Sequence, residues 1–178
     1  MPKNHHSPED YGQLLSQERL KELFYYHPES GDFVRLVRTA NCTRVGEQAG
    51  YLRKEDGYMA IRIAGVNHLS HRLAVLYMTG KYPTEFADHK DTVKHHNWWS
   101  NIRQATRPQN GRNRGAQKNN KSTGHKDIYY RASSRRFHVN INATGRKQFF
   151  GSFRTLAEAL ARRDQVLPQV HGEFARTG

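Results

Sequence analysis

The sequence predicts an α+β protein built from small antiparallel sheets and short helices, ending in a three-stranded sheet packed on one helix. Only 35% of its 178 residues are apolar, which suits several small modules better than one large core. Short runs alternate apolar and polar residues between turn signals, as half-buried strands do. Two T-x-x-E/Q patterns, at Thr106 and Thr155, mark helix starts by the capping-box rule.

The elements follow in order. SQERLKELF sets Leu20, Leu23 and Phe24 at helical spacing, with Ser16 as N-cap. PESGD is a turn, and DFVRLV after it reads as a strand. AGYLRKEDGYMAIRIAGVNHL gives short strands around an Asp56-Gly57 turn, with Met59, Ile61 and Ile63 on a buried face. Ser70 is expected to cap the helix HRLAVLYMT, whose apolar face is Leu73, Leu76 and Tyr77 and whose end is Gly80.

Next, Ala87-Asp88-His89 ends a short strand, KDTVKHHNWWSN is a polar loop, and Ile102 to Thr106 returns as a second strand. Thr106 and Gln109 then start a short helix that carries Asn110 in its first turns, with Pro108 where a missing amide donor is harmless. GRNRGAQKNNKSTG is a basic, Asn- and Gly-rich linker. DIYYRA, RRFHVNINA and KQFFGSF are three strands. Phe137, Val139 and Ile141 face a covering helix from Leu156, while Arg136, His138, Asn140 and Asn142 face outward. The expected organisation is a supporting module at 1–85, a strand-loop-strand-helix core at 86–114, a linker at 115–124 and the sheet domain at 125–178.

Several function classes drop out. No apolar run could span a bilayer and the N-terminus has no signal-peptide core, so no membrane partner is expected. Cys42 is alone, which rules out an internal disulfide and a multi-cysteine zinc site and suits a reducing cytoplasm. The formal net charge of +13 points to a polyanion. Its distribution is informative. Residues 1–100 hold 13 Lys and Arg against 12 Asp and Glu, whereas residues 101–147 hold 12 against Asp127 alone. An internal basic segment followed by structured strands suits phosphate binding better than a solubilising tail.

Hydrolysis of a phosphodiester needs a base for water and charge neutralisation at phosphorus. An imidazole can do the first near neutral pH. A hard cation on oxygen ligands can do the second. Asp88 and His89, adjacent in a strand, point to opposite faces, so the carboxylate could hold a metal while the imidazole reaches the other side of the phosphate. Asn110 at a helix start could add a second oxygen. Spacing alone makes this unspecific.

D-H, then S-N-I-R-x-A-T thirteen residues on at Asn101, then x-Q-N nine residues further at Asn110, resembles the HNH endonuclease motif. It is closest to the phage and intron homing type, in which the last histidine is asparagine. HRLAVLYMTGKYP resembles the helix before that motif. RFHVNINATGRKQFFGSFRTLAEALARRD and the closing HGEFAR resemble an Apetala-type DNA-binding domain. The resemblance covers about residues 16–176.

It implies a ββα-metal core with His89 as general base. Asp88 and Asn110 would ligate one Mg²⁺ or Mn²⁺, and Asn101 would hold the loop and help orient His89. Double-stranded DNA would be the partner, in the cytoplasm of a bacterial host. Arg103, Arg107, Arg112, Arg114, Lys118 and Lys121 are expected on phosphate, and Arg136, His138 and Asn140 in a groove. No dimer signal is visible, so a monomer is expected and a dimer stays open. The chain departs from the family at Lys90-Asp91-Thr92-Val93, where the usual glycine is missing, at Phe137 in place of tryptophan, and at Pro168, expected to interrupt the final helix. The rival readings are a non-catalytic, sequence-specific DNA-binding regulator with a decayed nuclease module, and an RNA-associated basic protein. The latter lacks the aromatic sheet motifs expected of such binders.

Overall fold

The computed structural model describes residues 15–113, 122–143 and 145–175. Arg114, Lys118 and Lys121 lie outside the described residues, as does most of the linker. The described part is α+β, with four α-helices and several small antiparallel sheets. Among the described residues no helix is long and apolar enough to cross a membrane. The chain separates into two compact units, Met1–Thr106 and Arg107–Gly178.

In the first unit, helix α1 (Gln17–Leu23) is capped as expected, Ser16 Oγ accepting from Arg19 N at 3.1 Å. The helix stops one residue sooner than its apolar spacing suggested. Phe24-Tyr25-Tyr26, a run of aromatic strand formers, turns extended at Phe24 and becomes β1 (Phe24–Tyr26). It pairs antiparallel with β2 (Phe33–Arg35), which pairs with β3 (Gln48–Ala49). A second sheet runs β4 (Tyr51–Leu52), β5 (Met59–Ile63), β6 (Val66–Leu69), turning between β4 and β5 at Gly57 with φ 76°. Ile61 and Ile63 are buried as the alternation predicts, but Ala60 on the opposite side of β5 is buried too.

Helix α2 (Ser70–Thr79) differs at its start. Leu69 holds the cap position without a side-chain hydrogen bond, and Ser70 is the first helical residue, buried. Gly80 ends the helix in the left-handed region (φ 77°), where only glycine is unstrained. His71, Leu73, Ala74, Val75 and Leu76 are all buried, more than a single stripe, because α2 packs in the interior. The unit closes with the hairpin β7 (Phe86–His89) and β8 (Ile102–Ala105). One hydrophobic cluster includes Leu15, Leu20, Phe24, Tyr26, Phe33, Ile61, Leu73 and Ile102. Ile102 thereby ties the hairpin to the N-terminal sheets. Each such side chain, fully buried, is worth roughly 1.5–3 kcal/mol.

In the second unit, α3 (Arg107–Asn113) is followed by β9 (Ile128–Arg131), β10 (Arg136–Ala143) and β11 (Arg146–Phe153), an antiparallel sheet with β10 in the middle. The β10–β11 register shifts between Val139 and Asn140. Ile128, Val139 and Ile141 pack on Ala159, Val166 and Leu167 of α4 (Leu156–His171), with Leu156 and Leu160 alongside. Thr155 and Glu158 make the full capping box. Pro168 does not interrupt α4, which runs three residues past it. Pro168 itself lacks an amide to donate backward, yet its carbonyl still accepts from Gly172 N.

Candidate functional site

The hairpin sets the two central side chains apart. Asp88 pairs with Arg103 across the strands and His89 with Ile102, so the alternation of a strand sends them to opposite faces. His89 is only 3% exposed. Its Nε2 lies 3.1 Å from Asn97 Oδ1. Asn97 Nδ2 donates to the His95 carbonyl at 3.2 Å, which turns the amide oxygen toward the imidazole. His89 Nε2 therefore donates, and neutral His89 keeps its lone pair on Nδ1. Burial pushes His89 below the ordinary imidazole value, against the raising influence of the Asn97 hydrogen bond and of Asp91 and Asp88. The ring is thus held neutral near pH 7, the state a general base needs.

Asn97 was not singled out by the sequence, because nothing in H-H-N-W-W distinguishes a buried amide from a solvated one. Its main chain is gripped by the N-terminal module. Tyr26 Oη donates to the Asn97 carbonyl at 2.6 Å, inside the core. Trp99 N donates to the Pro28 carbonyl at 2.8 Å. Gly31 has φ 83°, and a Cβ there would lie 2.2 Å from Asn97 C and 2.4 Å from Trp98 N. The β1–β2 turn therefore presses backbone on backbone, and only glycine fits. Trp99 packs against the core while Trp98, also half-buried, lies against His96, ring centroids 4.5 Å apart.

Asn101 is buried and holds the loop. Its Oδ1 accepts from Asp91 N at 3.1 Å, and its Nδ2 donates to Asp91 Oδ1 at 3.0 Å and to the His96 carbonyl at 2.8 Å. The direct contact to His89 comes from Asn97, so Asn101 acts on the imidazole only through the loop. His96 Nδ1 lies 2.6 Å from Asp91 Oδ2. For Asp91, burial pulls the carboxyl upward, but hydrogen bonds from His96, Val93 and Asn101 outweigh it and leave the group below its usual value. The missing glycine has a visible consequence. Thr92 itself adopts φ 67°, a left-handed conformation that is rare and strained for a β-branched residue. Thr92 N donates to the His89 carbonyl at 3.0 Å.

On the other face, Asp88 Oδ2 receives Arg103 Nη2 at 2.9 Å and Nε at 3.2 Å, the two side chains being 11% and 8% exposed. Arg103, expected on phosphate, thus lies against Asp88, because the register sets them directly opposite. Behind His89 sits His71, fully buried, its ring centroid 4.9 Å from that of His89 and its Nδ1 without a hydrogen-bond partner. Tyr58 lies 5.1 Å from the His71 ring and 6.1 Å from the His89 ring.

The remaining expected residues fall in the second unit. Asn110 is half-buried on α3, with Arg107 exposed and Arg112 half-buried on the same helix. Arg136, His138 and Asn140 are half-buried on the outward-facing side of β10. Among the described residues no group of three or more His, Cys, Asp or Glu could hold a metal. The expected donors, the Asp88 carboxylate and the Asn110 amide, are hard oxygens. They fit Mg²⁺ or Mn²⁺ in kind, since such ions commonly take one or two protein oxygens and complete their shell with phosphate and water. Comparison with protein-family models, with curated proteins and with solved structures found no match.

Proposed function

We propose that this chain is a metal-dependent DNA endonuclease of the HNH type, hydrolysing a phosphodiester bond. The observation that carries the reading is the His89–Asn97 pair, a buried imidazole kept neutral and held in one tautomer by an amide 3.1 Å from its Nε2. His89 Nδ1 takes the proton of the attacking water, and Asn97 keeps the ring aligned as it becomes charged. Asn101 fixes the loop that carries Asn97. Asp88 and Asn110 would hold the divalent cation, which when bound supplies neutralisation of the phosphate and the leaving oxygen. The basic segment 101–147 and the outer face of the C-terminal sheet, with Arg136, His138 and Asn140, hold DNA. The order of motifs along the chain, similar to that of phage homing enzymes, supports the same reading.

One observation favours the rival reading of a non-catalytic DNA-binding regulator. Asp88 already has a guanidinium partner in Arg103, only 2.9 Å away. Incubation of supercoiled plasmid with Mg²⁺, with Mn²⁺ and with EDTA separates the two. A nuclease gives nicked or linear product with either metal and none with EDTA. A regulator shifts the plasmid on a gel without cutting it.

A further inference from the structure

Helix α3 has little reason to form by itself. Its described residues, RPQNGRN, hold a proline, a glycine and two asparagines. Glycine inside a helix costs about 1 kcal/mol against alanine, and asparagine is also a weak helix former. Other parts of the chain must therefore hold it. α3 falls in the same compact unit as the C-terminal sheet, and two ties to that unit are visible. The helix packs against the 3-10 turn Gly172–Phe174 that follows α4, where Phe174 is buried. Lys126, two residues before β9, donates through Nζ to the Arg112 carbonyl at 2.5 Å and lies 3.4 Å from the Gly111 carbonyl. Both carbonyls belong to the last described turn of α3. Carbonyls at a helix end lack amide partners, and a lysine ammonium satisfies them while answering the negative end of the helix dipole. Lys126 itself stands on a fixed base. Thr123 Oγ1 accepts from His125 N at 3.2 Å and donates to the Ile128 carbonyl at 2.8 Å. Asp127 is buried with φ 65°, and its carbonyl accepts from Asn140 N of β10 at 2.9 Å. The ammonium thus reaches α3 from a turn fastened to the sheet, and it grips the residues that directly follow Asn110.

We infer that Lys126 is a positioning residue for the metal, holding the turn of α3 that carries Asn110 so that its amide oxygen is ready for the cation. The inference rests on the reading that Asn110 is a metal ligand, and it names the group that sets that ligand in place. A ligand on a frayed helix must be ordered when the metal binds, and that cost is subtracted from affinity. A ligand on a capped helix is ordered beforehand, as groups behind a metal shell commonly arrange. Lys126 is one of the cations of the basic segment, but its ammonium is directed onto α3 carbonyls, which sets it apart from a side chain held out toward phosphate. What it governs is therefore the metal requirement.

The test is plasmid cleavage by the full-length chain across a Mg²⁺ series, with hydrogen exchange of the backbone amides and plasmid binding in EDTA measured in parallel. Lys126→Met keeps an unbranched stem and removes the ammonium. It should raise the Mg²⁺ concentration for half-maximal cleavage roughly 10- to 100-fold, the range for loss of a group that holds a metal ligand. The rate at saturating Mg²⁺ should stay within about threefold, because binding of the metal and not the chemical step is lost. Amide exchange at Gly111 to Asn113 should quicken while that of β9, β10 and β11 stays as in wild type. Lys126→Arg, which can still donate to both carbonyls, should restore the Mg²⁺ requirement and the slow exchange. An unchanged Mg²⁺ requirement in Lys126→Met, beside a raised one in Asn110→Ala, would overturn the inference and leave Asn110 as a ligand. Weaker plasmid binding with an unchanged requirement would overturn it by assigning Lys126 to phosphate. Faster exchange throughout the sheet would overturn it by making Lys126 a support of the whole unit. A Mg²⁺ series for Asn110→Ala identical to wild type would remove the ligand reading and the inference with it, and absence of cleavage by wild type would remove the nuclease reading itself.

Discussion

His89 and His138 both sit on short strands of alternating pattern, yet their surroundings are opposites. His89 is buried among His71, Tyr58 and Asn97, and its Nε2 is hydrogen-bonded to the Asn97 amide oxygen. His138 is half-buried on a sheet face, its ring beside that of the exposed Phe149. The contrast extends to the units that hold them. Through residue 100 positive and negative charges nearly balance, and the polar groups of the loop answer one another. Beyond it, nearly all the positive excess falls in residues 101–147 with one buried acid. A preorganised interior atom is suited to chemistry, whereas an open charged face is suited to holding a polyanion. Under the proposed reading the two histidines do different work, and burial is what separates them most.

The comparison breaks most severely at Gly31, where the first unit presses its turn onto the loop backbone. Gly31→Ala combines a left-handed φ with a Cβ only 2.2 Å from Asn97 C. It should cost about 3 kcal/mol or more in urea unfolding; a loss below about 1 kcal/mol would show that the clamp is soft. Next in size is Asn97→Ala. Freed of its partner, His89 should lose alignment, and cleavage should fall on the order of 10²-fold with DNA affinity within twofold. Because the Asn97 hydrogen bond raises His89, the acid limb of the rate profile should also move to lower pH. An unmoved limb would argue that His89 is not the titrating base.

Acid should distinguish the units more gently. Burial lowers His68, His71 and His89, all in the first unit, below their ordinary value of 6.5. For such groups the unfolded chain binds more protons than the folded one once the pH drops below 6.5. The stability they contribute is full above that value and is lost as pH falls through their folded values. In the second unit His171 is also lowered by burial, but Asp127 is raised by burial and works in the opposite sense. Both tryptophans lie in the first unit. Their fluorescence should therefore report loss of structure below about pH 6.5 before far-ultraviolet dichroism of the whole chain changes; coincident transitions would show that the units unfold together. The smallest effect is expected from Thr92→Gly. Relief of the left-handed strain should exceed the added flexibility of the unfolded chain, for a net gain of about 1 kcal/mol or less. Destabilisation would mean that the threonine side chain makes up for its backbone.

Much of the fold was legible in the sequence because its signals are local. The Ser16 cap, the Gly80 stop, the three C-terminal strands and the Thr155–Glu158 box all depend on residues a few positions apart. Ser70 misled because it resembles a cap, whereas it is the first helical residue and Leu69 before it is the cap. Phe24 misled because helical spacing and an aromatic strand run overlap there. At the candidate site, the opposite orientation of Asp88 and His89 followed from strand alternation. The Asn97 contact did not, since it depends on Tyr26 and Gly31, about 70 residues away, folding the loop back. The pairing of Arg103 with Asp88 required the hairpin register, which charge counting cannot supply.

The central claim is that buried His89 is the base of a metal-dependent nuclease. It is tested most directly by comparing wild type and His89→Ala on supercoiled plasmid with Mg²⁺ or Mn²⁺, with plasmid binding measured in parallel. The account predicts nicked or linear product from wild type alone, abolished by EDTA, and near-equal binding by both proteins. Cleavage retained by His89→Ala, or plasmid bound but left uncut by wild type in both metals, would contradict it.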